Sequence, residues 1–117
     1  MVDSYLSTHH RDHPGEGCPA AALATDAARA GPEMSEVFAQ GVERNIQRFM
    51  RVLEGEPAEK RARTMVMLSS MVGALALARA TAAGDPALSE EILRTVRERL
   101  VSGAQDIDAQ PGERPLR

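Results

Sequence analysis

The stretch that decides the fold is Thr64-Met-Val-Met-Leu-Ser-Ser-Met-Val-Gly-Ala-Leu-Ala-Leu-Ala78, flanked by Arg63 and Arg79 and carrying no charge. A helix that is apolar on every side must be surrounded, and a chain of 117 residues has little material to do it. Either the run lies at the centre of a small helical bundle or a second copy of the chain covers part of it. Downstream, Gly84-Asp85-Pro86 breaks the helix. Leu88, Ile92, Leu93, Val96 and Leu100 then recur at helical spacing, with Glu90, Glu91, Arg94, Arg97 and Glu98 turned away. Asp85 or Ser89 is suited to cap this last helix, because both side chains accept from free helical N–H groups.

Working upstream, Met34, Phe38, Val42, Ile46, Phe49, Val52 and Leu53 form one stripe of a helix over 33–54, opposite Glu36, Gln40, Glu43, Gln47, Arg51 and Glu54. Gly31-Pro32 and Gly55-Glu56-Pro57 punctuate the chain on either side, since proline is tolerated at the first helical position. An Ala-rich helix opens at Cys18-Pro19, and Val2–Thr8 reads as a short helical tail. The segment His9–Gly17 reads as a loop, broken by Pro14, Gly15 and Gly17. No strand alternation or internal repeat is visible. The expectation is an all-α chain: an antiparallel bundle of about five helices over 1–102. Residues 103–117, with their glycines and prolines and few apolar side chains, are expected to be a disordered tail.

Composition narrows the function classes. Fourteen Lys and Arg stand against seventeen Asp and Glu, for a net charge of -3, so the basic excess of a chain that binds DNA by itself is missing. Apolar residues make up 43% and aromatics 3%, which leaves a core of Leu, Val, Ala and six Met. The one cysteine, Cys18, fits a reducing compartment. No basic-then-apolar leader opens the chain, and the uncharged run is shorter than the roughly 20 residues that span a bilayer. The expected setting is cytoplasmic, without a membrane partner.

The residues that could carry chemistry are few. His9, His10, His13 and Cys18 are metal-type ligands, but their spacing matches no closed site, and a polar loop is the favoured reading; no metal or other cofactor is expected. His10-Arg11-Asp12 spells a kinase tripeptide without the Gly-rich loop, Asn or strand Lys that the chemistry needs, so Arg11 and Asp12 are better read as tying the loop to a neighbouring helix. Cys18 at a helix N-terminus could favour a thiolate, although small buried cysteines are commoner. No nucleophile is held beside a base, so the chain is not expected to be an enzyme. Asn45 within the apolar stripe, and Ser69 on the uncharged run, are the polar groups that an apolar small-molecule site would use. Met65, Met67 and Met71 are adaptable neighbours for such a site.

Tyr5-Leu6-Ser7, His10-Arg11-Asp12, Gly17-Cys18-Pro19-Ala-Ala-Ala-Leu23, Met71-Val72-Gly73-Ala74-Leu75-Ala76-Leu77-Ala78-Arg79-Ala80 and Leu88-Ser89-Glu90-Glu91-Ile92-Leu93, in that order, resemble the C-terminal domain of TetR/AcrR-type transcriptional regulators. The resemblance covers residues 1 to about 101. It implies an effector-binding and dimerisation domain, with a small, largely apolar effector and a homodimer in which the last two helices pair with those of the second subunit as a four-helix bundle. Such regulators open with a helix-turn-helix unit that this sequence does not show, so DNA contact would come only through that missing unit. The ligand-binding residues expected are Leu23, Phe38, Val42, Asn45, Phe49, Met65, Leu68 and Ser69, between the helices of 18–30, 33–54 and 57–82. The dimer residues expected are Val72, Leu75, Arg79, Leu88, Ile92, Val96 and Leu100. Two other readings stay open: a helical self-association or partner-docking module with no ligand, and a thiol-dependent enzyme using Cys18 with His10 or His13.

Overall fold

The computed structural model describes residues 2–13 and 19–109, and the described residues are all helical, with no strand. The helices are α1 (Val2–Tyr5), α2 (Thr8–Asp12), α3 (Pro19–Arg29), α4 (Pro32–Met50), α5 (Pro57–Thr81) and α6 (Pro86–Ala109). All four long helices begin on a proline, whose missing N–H is one the first turn leaves unpaired anyway. Asp85 caps α6 by accepting from the Leu88 N–H at 3.1 Å.

Three boundaries differ from the sequence reading. Helix α2 occupies 8–12, which had read as loop; nothing in Thr-His-His-Arg-Asp forbids a turn of helix, and the breakers begin only at Pro14. Helix α4 ends at Met50, before Val52 and Leu53, and Val52 is 73% exposed rather than part of a buried stripe. Gly55 takes φ +121°, a left-handed conformation that releases the chain into α5. Helix α6 continues to Ala109, into the stretch whose composition suggested a tail; residues 110–117 lie outside the described residues. The helix count among the described residues also departs from about five: four long helices and two short ones.

The core lies on the seam between α5 and α6. Met71, Ala74, Ala78 and Leu93 close on Leu6, and Val2, Tyr5, Met67, Ile92, Val96 and Leu100 pack around them. One side of the charge-free run is therefore buried: Thr64, Leu68, Met71, Ala74, Leu75 and Ala78. The opposite side is not, with Val66 66% and Leu77 57% exposed. By length and composition α5 is able to cross a membrane, yet 33% of its apolar window is buried, in a core shared with α6.

Thr64 is wholly enclosed and its hydroxyl has no hydrogen-bond partner. Leaving a buried hydroxyl unpaired costs roughly 1–3 kcal/mol. Thr64→Val, of nearly the same shape, is therefore expected to stabilise the protein by about 1 kcal/mol; a urea midpoint that falls would show that the hydroxyl is satisfied after all.

Helices α4 and α5 are joined by Glu43 and Arg61 through two 2.7 Å hydrogen bonds. Arg61, and then Gln47, hold the Glu43 carboxyl down at about 2 from its ordinary 4.5. A carboxylate depressed on folding contributes stability above its unfolded value and loses it as the pH falls through the folded one. Between pH 4.5 and about 2 the wild-type melting temperature should therefore decline, and Glu43→Gln should decline less over the same window. Thermal melts at both ends of that window check it. The pair is solvated, so the difference is expected to be small.

Candidate functional site

Gly31, at φ +100°, turns the chain between α3 and α4, and the two helices pack on each other. Their side chains are mismatched in size. Helix α3 contributes the small Ala27 beside Leu23 and Asp26, and Ala30 follows just past its end; α4 faces them with Met34, Val37, Phe38 and Val42. Small residues opposite large ones leave a groove of about 510 Å³ between the two helices. Gly41 lies in its lining, and a Cβ built there would meet only Arg44 Nη2, at 3.7 Å. Glycine inside a helix costs roughly 0.5–1 kcal/mol relative to alanine; here its missing side chain deepens the groove. The groove opens to solvent, since Leu23, Met34 and Val37 are 49%, 53% and 58% exposed.

Of the expected ligand residues, the groove brings together Leu23, Phe38, Val42 and the half-buried Asn45. It does not include Phe49, Met65, Leu68 or Ser69. Helix α5 presents Thr64 and Leu68 to the interior, which turns Met65 and Ser69 outward to solvent. The early half of the charge-free run therefore does not face this groove. Asp26, Arg44 and Arg48 were missed, although two arginines one turn apart on either side of Asn45 were a readable signal.

The dimer residues divide in the same way. Leu75 is fully enclosed within the chain, so it has no surface to offer a second subunit. Ile92, Val96 and Leu100 are half-buried against the chain's own core. Arg79 donates from Nε to the Arg11 carbonyl at 3.1 Å. Val72 is half-buried and Leu88 is 41% exposed. The outward apolar face of α5 consists instead of Val66, Gly73, Ala76, Leu77 and Ala80, which are exposed apart from the half-buried Gly73.

The His10-Arg11-Asp12 segment performs the structural task expected of it. Arg11 Nη1 donates to Ser89 Oγ on α6 at 2.9 Å, and its Nε donates to Asp12 at 2.8 Å. Asp12 raises the Arg11 pKa and is itself held below the usual carboxylate range by the arginine. Ser89 is wholly buried and donates to the Ala78 carbonyl at 2.6 Å. The rings of His9 and His13 stack at 4.1 Å, and His13 Nδ1 lies 2.7 Å from the His9 carbonyl oxygen. Among the described residues no group of three His, Cys, Asp or Glu is arranged to hold a metal. Cys18 lies outside the described residues, as does any contact it makes with the histidines.

No protein-family model, curated protein or solved structure matches the chain.

Proposed function

We propose that this chain is the ligand-sensing and dimerisation domain of a TetR-like transcriptional regulator, held in the cytoplasm and without catalytic activity. The observation that carries the ligand part is the α3–α4 groove, which gathers four of the expected apolar and polar residues around about 510 Å³. That volume is in the range of small-molecule sites, and a mostly apolar lining with a few polar groups, here Asn45, Asp26, Arg44 and Arg48, is the chemistry such sites use. A small, largely apolar effector in the groove would favour one spacing of α3 and α4 over another, and a ligand shifts such an equilibrium by its differential affinity for the two states. In this reading DNA is contacted by a separate helix-turn-helix unit, and these helices alone bind no operator.

The homodimer forms on the uncharged outer face of α5. The small Gly73, Ala76 and Ala80 allow a second helix to approach closely, while Val66 and Leu77 supply apolar area. With Leu88 beside it, this face and its copy form the four-helix arrangement. Sedimentation at micromolar concentration should give a dimer, and Leu77→Asp should give a folded monomer, because the carboxylate would be buried unpaired only in the dimer. A monomeric wild-type protein overturns the dimer. The same exposed face also suits a self-association module without a ligand. A metabolite thermal-shift screen separates the two, since only the sensor is stabilised by a small molecule.

A further inference from the structure

The charges in the groove are not evenly spread. Arg44 and Arg48 lie one turn apart on α4, with Asn45 between them, at the end of the groove away from the Ala30–Gly31 turn. Among the described residues neither arginine has an ion-pair or hydrogen-bond partner. Asp26, the single acid in the lining, forms no pair with them. The other end, at Ala30, Met34 and Phe38, is purely apolar. From Met34 to Arg44 the helix advances about 15 Å, at about 1.5 Å per residue. The groove is thus apolar at one end and cationic at the other, and Gly41, between the ends, adds no side chain to the lining, the nearest atom to a Cβ built there being Arg44 Nη2 at 3.7 Å.

We propose that the occupant of this groove is a small apolar carboxylate, with its hydrocarbon tail along Met34 and Phe38 and its carboxylate received by Arg44 and Arg48. The proposal rests on the ligand-sensing reading above and narrows the effector to an amphipathic acid. Guanidinium groups match a carboxylate in geometry and charge. Two of them without acidic partners leave that match unfilled, whereas a neutral or cationic apolar molecule gains nothing from them. The Asn45 amide donates a further hydrogen bond at the same end.

Calorimetric titration with octanoate, 1-octanol and octylamine tests this on three proteins: wild type, Arg44→Gln/Arg48→Gln and Gly41→Leu. Wild type should bind octanoate about tenfold more tightly than octanol, and octylamine more weakly than either. The double variant should bring octanoate to the level of octanol. Both replaced arginines are exposed, so the fold is expected to survive. Gly41→Leu adds bulk to the lining and should weaken octanoate and octanol alike, and a better helix former whose Cβ meets only the far end of the Arg44 side chain leaves the fold intact. If octanol binds wild type as tightly as octanoate does, or the double variant leaves the difference unchanged, the carboxylate assignment is overturned while the apolar groove stands. If neither compound binds, or Gly41→Leu changes neither affinity, the groove reading falls as well.

Discussion

Leu6→Ala is expected to lower the stability of the protein by about 2–5 kcal/mol, the usual range for removing a fully enclosed leucine. Leu6 is 0% exposed and closes the cluster of Met71, Ala74, Ala78 and Leu93. The segment that carries it has no independent means of staying in place. Helices α1 and α2 have four and five residues, far below the length at which an isolated helix is stable in water. Leu6 therefore anchors the segment as well as filling a space. Arg97 Nη1 donates to the Leu6 carbonyl at 3.2 Å, and Arg97 also lies 3.7 Å from Asp3, so losing the anchor releases both contacts. If the variant segment peels away instead of leaving a cavity, the cost falls toward the lower figure and amide exchange in residues 2–13 accelerates. Urea denaturation with hydrogen exchange measures both quantities. A loss below about 1 kcal/mol would mean that α5 and α6 close without the segment.

Ser89→Ala is the second large effect, at about 1–3 kcal/mol. The Ser89 hydroxyl is enclosed, accepts from Arg11 Nη1 at 2.9 Å and donates to the Ala78 carbonyl at 2.6 Å. Both neighbours would lose a partner, the Ala78 carbonyl in a buried place and Arg11 in a half-buried one. The Ala78 carbonyl retains a longer 3.4 Å contact from Thr81 Oγ1, which donates at 2.8 Å to Leu77. The arginine keeps only its solvated pair with Asp12, so it bears most of the cost. A double-mutant cycle of Ser89→Ala with Arg11→Met isolates that share. A coupling of about 0.5–3 kcal/mol is expected for groups in one hydrogen-bond network. Additive single effects would show that Arg11 and Ser89 stabilise the protein independently.

The two variants probe one piece of architecture. The N-terminal segment is latched across the α5–α6 seam at both ends, by Leu6 with Arg97 and by Arg11 with Ser89 and Arg79. A signal arriving at residues 2–13 would therefore meet α5 and α6 before α3 and α4. In the proposed sensor the groove lies on the other pair, α3 and α4. Between them stands α5, which packs on α3, α4 and α6.

Much of the helical layout is legible in composition and spacing. The prolines at 19, 32, 57 and 86 mark where each long helix begins, because their fixed φ and missing N–H suit only the first turn. Of the two caps the sequence offers, Asp85 takes the role while Ser89 turns to the Ala78 carbonyl, and Leu93 announces itself as core by its place in the 3.6-residue period. The charge-free stretch from Thr64 to Ala78 is recognisable as half of a core. Arg11 and Asp12 are legible as a tie, since their alternatives lack the residues a catalytic loop requires.

Periodicity does not say which side of a helix with no polar face turns inward, and there the three-dimensional packing decided. On α5 every direction is apolar or small, so Met65 and Leu68 look equivalent in sequence. Leu6, arriving from the far end of the chain, selects Met71, Ala74 and Ala78, and that choice exposes Met65 and Ser69 and encloses Leu75. The groove was half legible for the same reason. Its α4 wall follows from one helix's spacing, but whether α3 or α5 stands opposite depends on the turn at Gly31. That turn sets small alanines against large side chains and leaves Arg44 and Arg48 at the end away from it. Local sequence governs where helices start and stop, because capping and proline geometry act within a turn. Which faces meet is a contest among long-range contacts, and only the assembled helices resolve it.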